Sequence, residues 1–335
     1  MKKIIALCFT IALLFSLTAC AEKSASVEIF AMDTYMSLTA YGDNTEDALS
    51  ACSRQINALE DSFSRTRENS CVAQLNADGT FIDEETARLI DKALAYSNET
   101  NGAFDITIAP LVEAWGITTD LPRVPAQDEI NEMLTHVGSS HIHVKDSTVT
   151  LDDGCAIDLG GIAKGYASDC VADIFRSAGI NSGCVSLGGN VYVCGSKPDG
   201  NDWSVAIQDP QSDGYAALVS LRNAFAVTSG GYQRYFTAED GTVYQHIIDP
   251  KTGYPVQSDL LSVTIIDHSG TRADAYSTAL YVMGEKGAID FWRSHADDFN
   301  MVLITKDGRL LYTPNLQDKI TKAEGSSYDF QVIEY

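Results

Sequence analysis

A chain of 335 residues with 46 acidic side chains against 23 basic ones carries a formal net charge of −23 at pH 7. That balance excludes binding of nucleic acid, or of an anionic membrane surface, through a broad basic patch, because like charge repels phosphate at long range. With 45% hydrophobic and 21% charged residues the chain has ample material for a core, in one large domain or two lobes.

At the amino terminus, Lys2 and Lys3 precede an apolar run from Ile4 to Leu17. The run is short for a bilayer span and reads as a secretory signal. It ends in Leu17-Thr18-Ala19-Cys20, which resembles the bacterial lipobox, in which the cysteine is lipidated and becomes the first residue of the mature chain. The polar stretch Ala21 to Ser26 then reads as a tether, and the mature protein as anchored at the extracytoplasmic side of the cell membrane. Beyond Cys8 and Cys20, six cysteines remain without any C-x-x-C pair. Tetrahedral zinc spacing is absent, and buried free thiols and bridges both stay open.

The alternation Met36 to Tyr41 predicts a strand, and Ala48, Cys52, Ile56 and Leu59 mark one face of a helix starting at Asn44. A second helix fits Glu84 to Asn98. Next, Gly102-Ala103-Phe104-Asp105-Ile106-Thr107-Ile108-Ala109-Pro110 sets an aromatic beside a carboxylate, able to pack a planar ring and accept a base or ribose hydrogen bond. The plainer reading of these two residues is a buried aromatic in a turn. Ala126 to His136 fits a third helix, and Ile142 to Ile157 a hairpin turning at Asp146-Ser147. Interleaved strands and helices without repeats predict a mixed α and β architecture.

Residues 158 to 169, Asp-Leu-Gly-Gly-Ile-Ala-Lys-Gly-Tyr-Ala-Ser-Asp, run from an acidic residue through two glycines to a lysine at a helix start. Glycines let the backbone approach a ligand, and the first-turn N–H groups of a helix suit phosphate. The pattern is neither a P-loop nor G-x-G-x-x-G, so a tight strand-to-helix turn is the alternative. The helix it opens should stop at Gly179. A second double glycine follows at Gly188-Gly189, and strand-like runs alternate with turns to residue 267.

His246 lies at a strand end before the turn Asp249-Pro250-Lys251-Thr252-Gly253. A histidine there can act as a base near neutral pH, orient a phosphate oxygen or hold the turn. In Arg272 to Leu280, Asp274 and Thr278 are four apart, which on a helix puts a carboxylate and a hydroxyl on one face. Both are hard donors suited to Mg²⁺, and Ser277 is near enough to help directly or through water. The alternative is a first-turn aspartate with a threonine bonded back to its own helix.

Taken in order, seven segments resemble the FAD:protein FMN transferase family, the ApbE-type flavin transferases. They are Ala31-Met32-Asp33-Thr34, the Phe104-Asp105 element with Trp115-Gly116 behind it, Asp158 to Asp169, Ser186 to Asn190, Thr228 to Tyr232, His246 to Pro255, and Asp274 to Thr278. The resemblance implies an α+β fold, a mixed domain with largely antiparallel sheets and flanking helices and room for two lobes around an FAD cleft. It implies that FMN passes from FAD to a threonine or serine hydroxyl of an acceptor protein, with Mg²⁺ as cofactor and AMP released. Hydrolysis of FAD to FMN and AMP, and a non-catalytic FAD-binding lipoprotein, are the other functions weighed. The acceptors it implies are extracytoplasmic electron-transfer proteins. The layout expected is a signal over 1–19, lipidated Cys20 and tether over 20–27, the transferase domain over 28–320 and a tail over 321–335.

Residue by residue, the resemblance carries the metal to Asp274, Thr278 and Ser277, and to a loop carbonyl at Gly161, with Ala163 as the alternative. FAD contacts carry to Met32, Ala103, Phe104, Asp105, Asp158, Lys164 and Ile248, and to Thr66, where the family often has an aromatic. His246 carries the role of general base for the acceptor hydroxyl. Asp33 stands where a glycine commonly follows the methionine, which leaves the backbone there open.

Overall fold

The computed structural model describes residues 23–335. The expected signal over 1–19 and Cys20 lie outside the described residues.

The described chain opens with the hairpin β1 (Ser24–Ala31) and β2 (Thr34–Tyr41), followed by helices α1 (Thr45–Phe63) and α2 (Cys71–Asp78), strand β3 (Thr80–Ile82) and helix α3 (Glu84–Glu99). Short helices α4 (Ala109–Trp115) and α5 (Gln127–Leu134) lead to the hairpin β4 (Ile142–Lys145) and β5 (Thr148–Leu151), then α6 (Ala163–Ala178). The strands β6 (Ser182–Leu187), β7 (Asn190–Gly195), β8 (Trp203–Gln208), β9 (Tyr215–Leu221), β10 (Ala224–Gly230), β11 (Tyr235–Thr237), β12 (Val243–Gln245) and β13 (Leu260–Asp267) come next. Helix α7 (Gly270–Ser294), interrupted at Gly284, precedes β14 (Asn300–Thr305), β15 (Arg309–Tyr312), β16 (Ile320–Lys322) and β17 (Asp329–Val332).

Nine strands form the main sheet in the order β1-β2-β6-β7-β10-β13-β14-β15-β17. Every pairing in it is antiparallel except β15 with β17. The α+β expectation with largely antiparallel sheets therefore describes this fold. Both faces of the central strands are buried, and the period of two along each strand divides them. Phe225, Val227, Val263, Ile265, Met301 and Leu303 join the large core formed with α1, α6 and α7. Their neighbours Ala224, Ala226, Ile266, Val302 and Ile304 join a second core against the sheet β16-β9-β8.

Most predicted helices and strands recur within a residue or two, including the stop of α6 at Gly179, whose φ is 74°. The hairpin expected over Ile142 to Ile157, however, ends at Leu151, where a turn closed by the Cys155 N–H on the Asp152 carbonyl breaks it. Two further expected boundaries are corrected. The tether was expected through residue 27, but Ser24 to Val27 already pair with β2, since alternating side chains from Ser24 onward let the backbone join the sheet. The expected tail over 321–335 contains β17, and Ile333 is buried while the Tyr335 ring lies 5.2 Å from that of Trp292. The tail thus completes the sheet edge. The six cysteines among the described residues are free. Burial pushes the Cys52 and Cys155 thiols up to about 12, which suits inert core groups.

Candidate functional site

Distant parts of the chain meet around one cleft of about 600 Å³, among them the β1–β2 turn, the end of α1, the segment around Phe104, the glycine-rich loop, α7 and the segment around His246. A cleft of this size takes a ligand as large as a dinucleotide. At its mouth, Met32 and Asp33 form the hairpin turn with φ of 49° and 58°. Both are left-handed, so a type I′ turn is made here without glycine, and the Asp33 question is settled in favour of a tight turn. Arg234 fastens that turn by donating from Nη2 to the Asp33 carbonyl at 3.0 Å.

The glycine-rich loop is fixed from three directions. The Asp158 N–H donates to the Ile106 carbonyl at 2.7 Å, its Oδ1 accepts from Gly160 N–H at 2.7 Å, and its Oδ2 accepts from Arg65 Nε at 2.8 Å. Arg65 is braced in turn by Glu113, 3.2 Å from its Nη1. Lys164 stands above the loop, its Nζ 3.4 Å from the Gly160 carbonyl. Gly161 lies flat against Phe104, where a Cβ would come 3.2 Å from the ring and 3.7 Å from Thr278 Oγ1. Phe104 and Ala103 are buried in this wall. Asp105 also lines the cleft, but its Oδ1 accepts from both Thr107 N–H and Oγ1, at 2.8 and 2.6 Å. That oxygen caps a turn, so Asp105 offers a ligand only Oδ2, which the Ser97 hydroxyl approaches at 3.4 Å.

Helix α7 brings Asp274 and Thr278 to the cleft that Gly161 and Ala163 also line, with Thr278 beside Gly161. Asp274 Oδ2 accepts from the Gly165 N–H at 2.8 Å, while Oδ1 takes no hydrogen bond from the described residues. A first-turn N–H of α6 thus goes to a carboxylate rather than to a ligand phosphate. Ser277 is fully buried and does not reach the cleft: its Oγ donates to the Asp274 carbonyl at 2.9 Å and lies 2.8 Å from Ser229 Oγ. The direct role left open for Ser277 does not fit this position, because its hydroxyl turns to Ser229 instead. It steadies Ser229, which is 3.3 Å from Thr278 Oγ1.

The donor set fits a hard divalent cation held partly by substrate. Among the described residues no group of three or more His, Cys, Asp or Glu could hold a metal. One free carboxylate oxygen, a hydroxyl and a backbone carbonyl are hard donors, and Mg²⁺ ordinarily completes its six oxygens with phosphate and water.

His246 follows β12, whose Gln245 pairs with Tyr235 of β11. Its Nδ1 lies 3.2 Å from the Arg234 carbonyl, which only an N–H can satisfy, so Nε2 is the unprotonated nitrogen. Desolvation by burial pushes the imidazole down to about 4, the Arg234 and Lys164 charges add to this, and the hydrogen bond to the Arg234 carbonyl opposes it. Behind it, Ile248 bridges to Pro255 and packs with Leu111, Trp115 and Ile130, while Trp115 Nε1 donates to the Gly253 carbonyl at 2.8 Å. Met32, Thr66, Lys164 and Ile248 all line the cleft.

Sequence reasoning missed Arg65, Ser229 and Arg234 as site residues. An arginine two residues past an amphipathic helix carries no local mark of a partner 93 residues away. Ser229 and Arg234 lie in or beside a glycine-rich segment that offers no side-chain period to read.

A cleft that combines a glycine-rich loop, hard oxygen donors and a neutral histidine fits an enzyme of group transfer. Residues 32–303 match the ApbE family model. The chain is similar to the FAD:protein FMN transferase of Treponema pallidum, with 32% identity over 77% of each chain. It is also similar to that of Vibrio cholerae, with 32% identity over 76% of this chain and 79% of that one. Among solved structures, the ApbE protein of Thermotoga maritima superposes with a TM-score of 0.83 at 32% identity, covering 89% of this chain and 99% of that one. The chain belongs to the ApbE family, and is a transferase.

Proposed function

We propose that this protein transfers the FMN moiety of FAD to a threonine or serine hydroxyl of an acceptor protein, releasing AMP, with Mg²⁺ as cofactor. The observation that carries this reading is that Asp274, Thr278, the glycine-rich loop and a neutral His246 share one cleft. The names of the relatives, FAD:protein FMN transferase, supply the substrate.

In the reaction, Nε2 of His246 accepts the proton of the acceptor hydroxyl, a role that needs the imidazole neutral at working pH. The acceptor Oγ forms a bond to the FMN-side phosphorus. The bond from that phosphorus to the bridging oxygen breaks, and AMP leaves with the electron pair. Asp274, Thr278 and the Gly161 or Ala163 carbonyl would hold Mg²⁺, which when bound neutralises charge on the pyrophosphate. Phe104 and Met32 offer apolar surface to the flavin, Lys164 an ammonium to phosphate, and Asp158 a carboxylate already oriented by Arg65.

The signal-like run and the lipobox-like Leu17-Thr18-Ala19-Cys20 support attachment through lipidated Cys20 at the extracytoplasmic face of the cell membrane, where electron-transfer proteins would be the acceptors. With strand β1 beginning at Ser24, the body would then lie close to the bilayer. Among the described residues no helix is long and apolar enough to cross a membrane.

The test incubates the protein with FAD and Mg²⁺, with and without candidate acceptors, and follows AMP and a fluorescent protein band. Labelling that disappears with Asp274→Ala supports transfer. AMP without any label supports FAD hydrolysis, and intact FAD would sink both.

A further inference from the structure

Beside the cleft runs a second, more open groove of about 530 Å³, walled by the hairpin residues Phe30 and Asp33, by Ile117 and Asp120, and by Arg234 and Tyr235. It is continuous with the cleft, because Phe30, Asp33 and Arg234 line both. It also ends next to the base. Tyr235 pairs with Gln245 across the β11–β12 ladder, one residue before His246, and the His246 ring is bonded to the Arg234 carbonyl.

The groove's rim is apolar and exposed. Phe30 is 61% and Tyr235 56% exposed, Tyr35 meets Phe30 edge to face with ring centroids 5.1 Å apart, and the exposed Leu121 directly follows Asp120. Large exposed aromatics gathered beside a reaction site mark a contact surface. The charges say what kind of ligand fits. Among the described residues the groove is lined by the carboxylates of Asp33 and Asp120 and by one cation, Arg234, whose Nη2 donates to the Asp33 carbonyl. Carboxylates repel a second phosphate ligand or an anionic bilayer but accept from main-chain N–H groups.

We propose that this groove holds the acceptor as an extended segment, with an aromatic or large aliphatic side chain two to four residues from the target hydroxyl seated against Tyr235 and Phe30. This rests on the transfer reading above. An extended chain rises about 3.3 Å per residue, so a hydroxyl at His246 leaves its neighbours two to four positions away about 7–13 Å along the groove.

The experiment uses the full chain purified in detergent, FAD, Mg²⁺ and a library of 11-residue peptides with a fixed central threonine and random flanks. Flavin-labelled peptides are sequenced by mass spectrometry. FAD affinity is followed by flavin fluorescence, and AMP release is measured without peptide. The expected result is enrichment of Phe, Tyr, Trp, Leu, Ile or Met at two to four positions from the threonine. About a tenfold preference corresponds to one aromatic contact. Tyr235→Ser should abolish that preference and Tyr235→Phe keep it, with FAD affinity and AMP release unchanged in both.

The same preference in Tyr235→Ser and in Asp120→Lys overturns the proposal. So does FAD cleavage with no peptide labelled, which leaves the cleft reading standing. Loss of binding to phosphatidylcholine vesicles in Tyr235→Ser with unchanged peptide preference would assign the rim to a membrane and overturn it equally. Intact FAD under all conditions defeats the transfer reading and the groove together.

Discussion

Asp274 on α7 and Gly165 on α6 are joined by a 2.8 Å hydrogen bond from the glycine N–H to the carboxylate Oδ2. One carboxylate therefore has two duties. Oδ2 ties α7 to the helix opened by the glycine-rich loop, and Oδ1 is left to the cleft. The approach is possible because both helices lack side chains where they cross: a Cβ on Gly165 would come 2.2 Å from the Gly270 carbonyl oxygen.

These duties separate in two substitutions. Asp274→Asn keeps an oxygen to accept the Gly165 N–H but loses the charge, so the fold should hold while Mg²⁺-dependent AMP release falls at least a hundredfold. Asp274→Ala should lose both, with about 1–3 kcal/mol of stability gone because a buried N–H is orphaned. Thermal melts beside AMP assays check this, and equal melting of the two variants would show that the cap contributes nothing. EDTA on the unmodified protein should reproduce the activity loss of Asp274→Asn with little change in melting temperature, and added Mg²⁺ should restore turnover.

Gly165→Ala tests the crossing itself. The new methyl would meet backbone on Gly270 and the Cβ of Asp274 at 2.6 Å, and neither is the end of a flexible chain. Overpacking of this kind costs about 1–3 kcal/mol or more, and the shift it forces moves Asp274 away from Gly161. We expect a lower denaturation midpoint together with weakened Mg²⁺ activation. A variant with wild-type stability and activity would mean the helices separate freely.

The parts of the site legible in the sequence are those written in local pattern. The glycine pair before Lys164, the four-residue spacing of Asp274 and Thr278, and a histidine at a strand end each have a period or a spacing that local physics constrains. What stayed hidden depends on contacts between distant segments. Nothing near Gly165 marks it as the partner of a carboxylate 109 residues on. Ser277 sits beside Thr278 in sequence, yet 100° around the helix it turns toward Ser229 rather than the cleft. The carboxyl-terminal stretch reads as polar tail because β17 pairs parallel with β15 at a sheet edge, where most of its residues remain exposed to water.

Arg65 holds Asp158 by one charge-assisted bond, with both side chains largely buried, at 15% and 20% exposure. If Asp158 contacts FAD, Arg65 is a positioning residue. Arg65→Ala should raise KM for FAD about tenfold, equivalent to about 1.4 kcal/mol, with kcat changed much less. Arg65→Lys should recover only part, since a lysine cannot reach Asp158 and Glu113 with the same fork. Steady-state kinetics in FAD decide it, and a fall in kcat at unchanged KM would place Arg65 in the chemical step instead.

His246 gives the pH dependence a definite sign. Burial, then the Arg234 and Lys164 charges, bring its pKa from the ordinary 6.5 down to about 4. The imidazole therefore stays neutral, and able to take the acceptor's proton, until the pH falls through that value. The kcat/KM profile for transfer should be flat from about pH 8 to 5 and fall below, rather than dropping near 6.5. Stability follows the same depressed pKa: the unfolded chain takes up the proton first, so the contribution of His246 is complete above pH 6.5 and is lost progressively between 6.5 and about 4. His246→Gln should lower transfer by about 10²–10⁴ and remove this acid limb while leaving FAD affinity within a fewfold. A limb centred near 6.5 in the unmodified protein, or one that survives His246→Gln, would assign the base to another group.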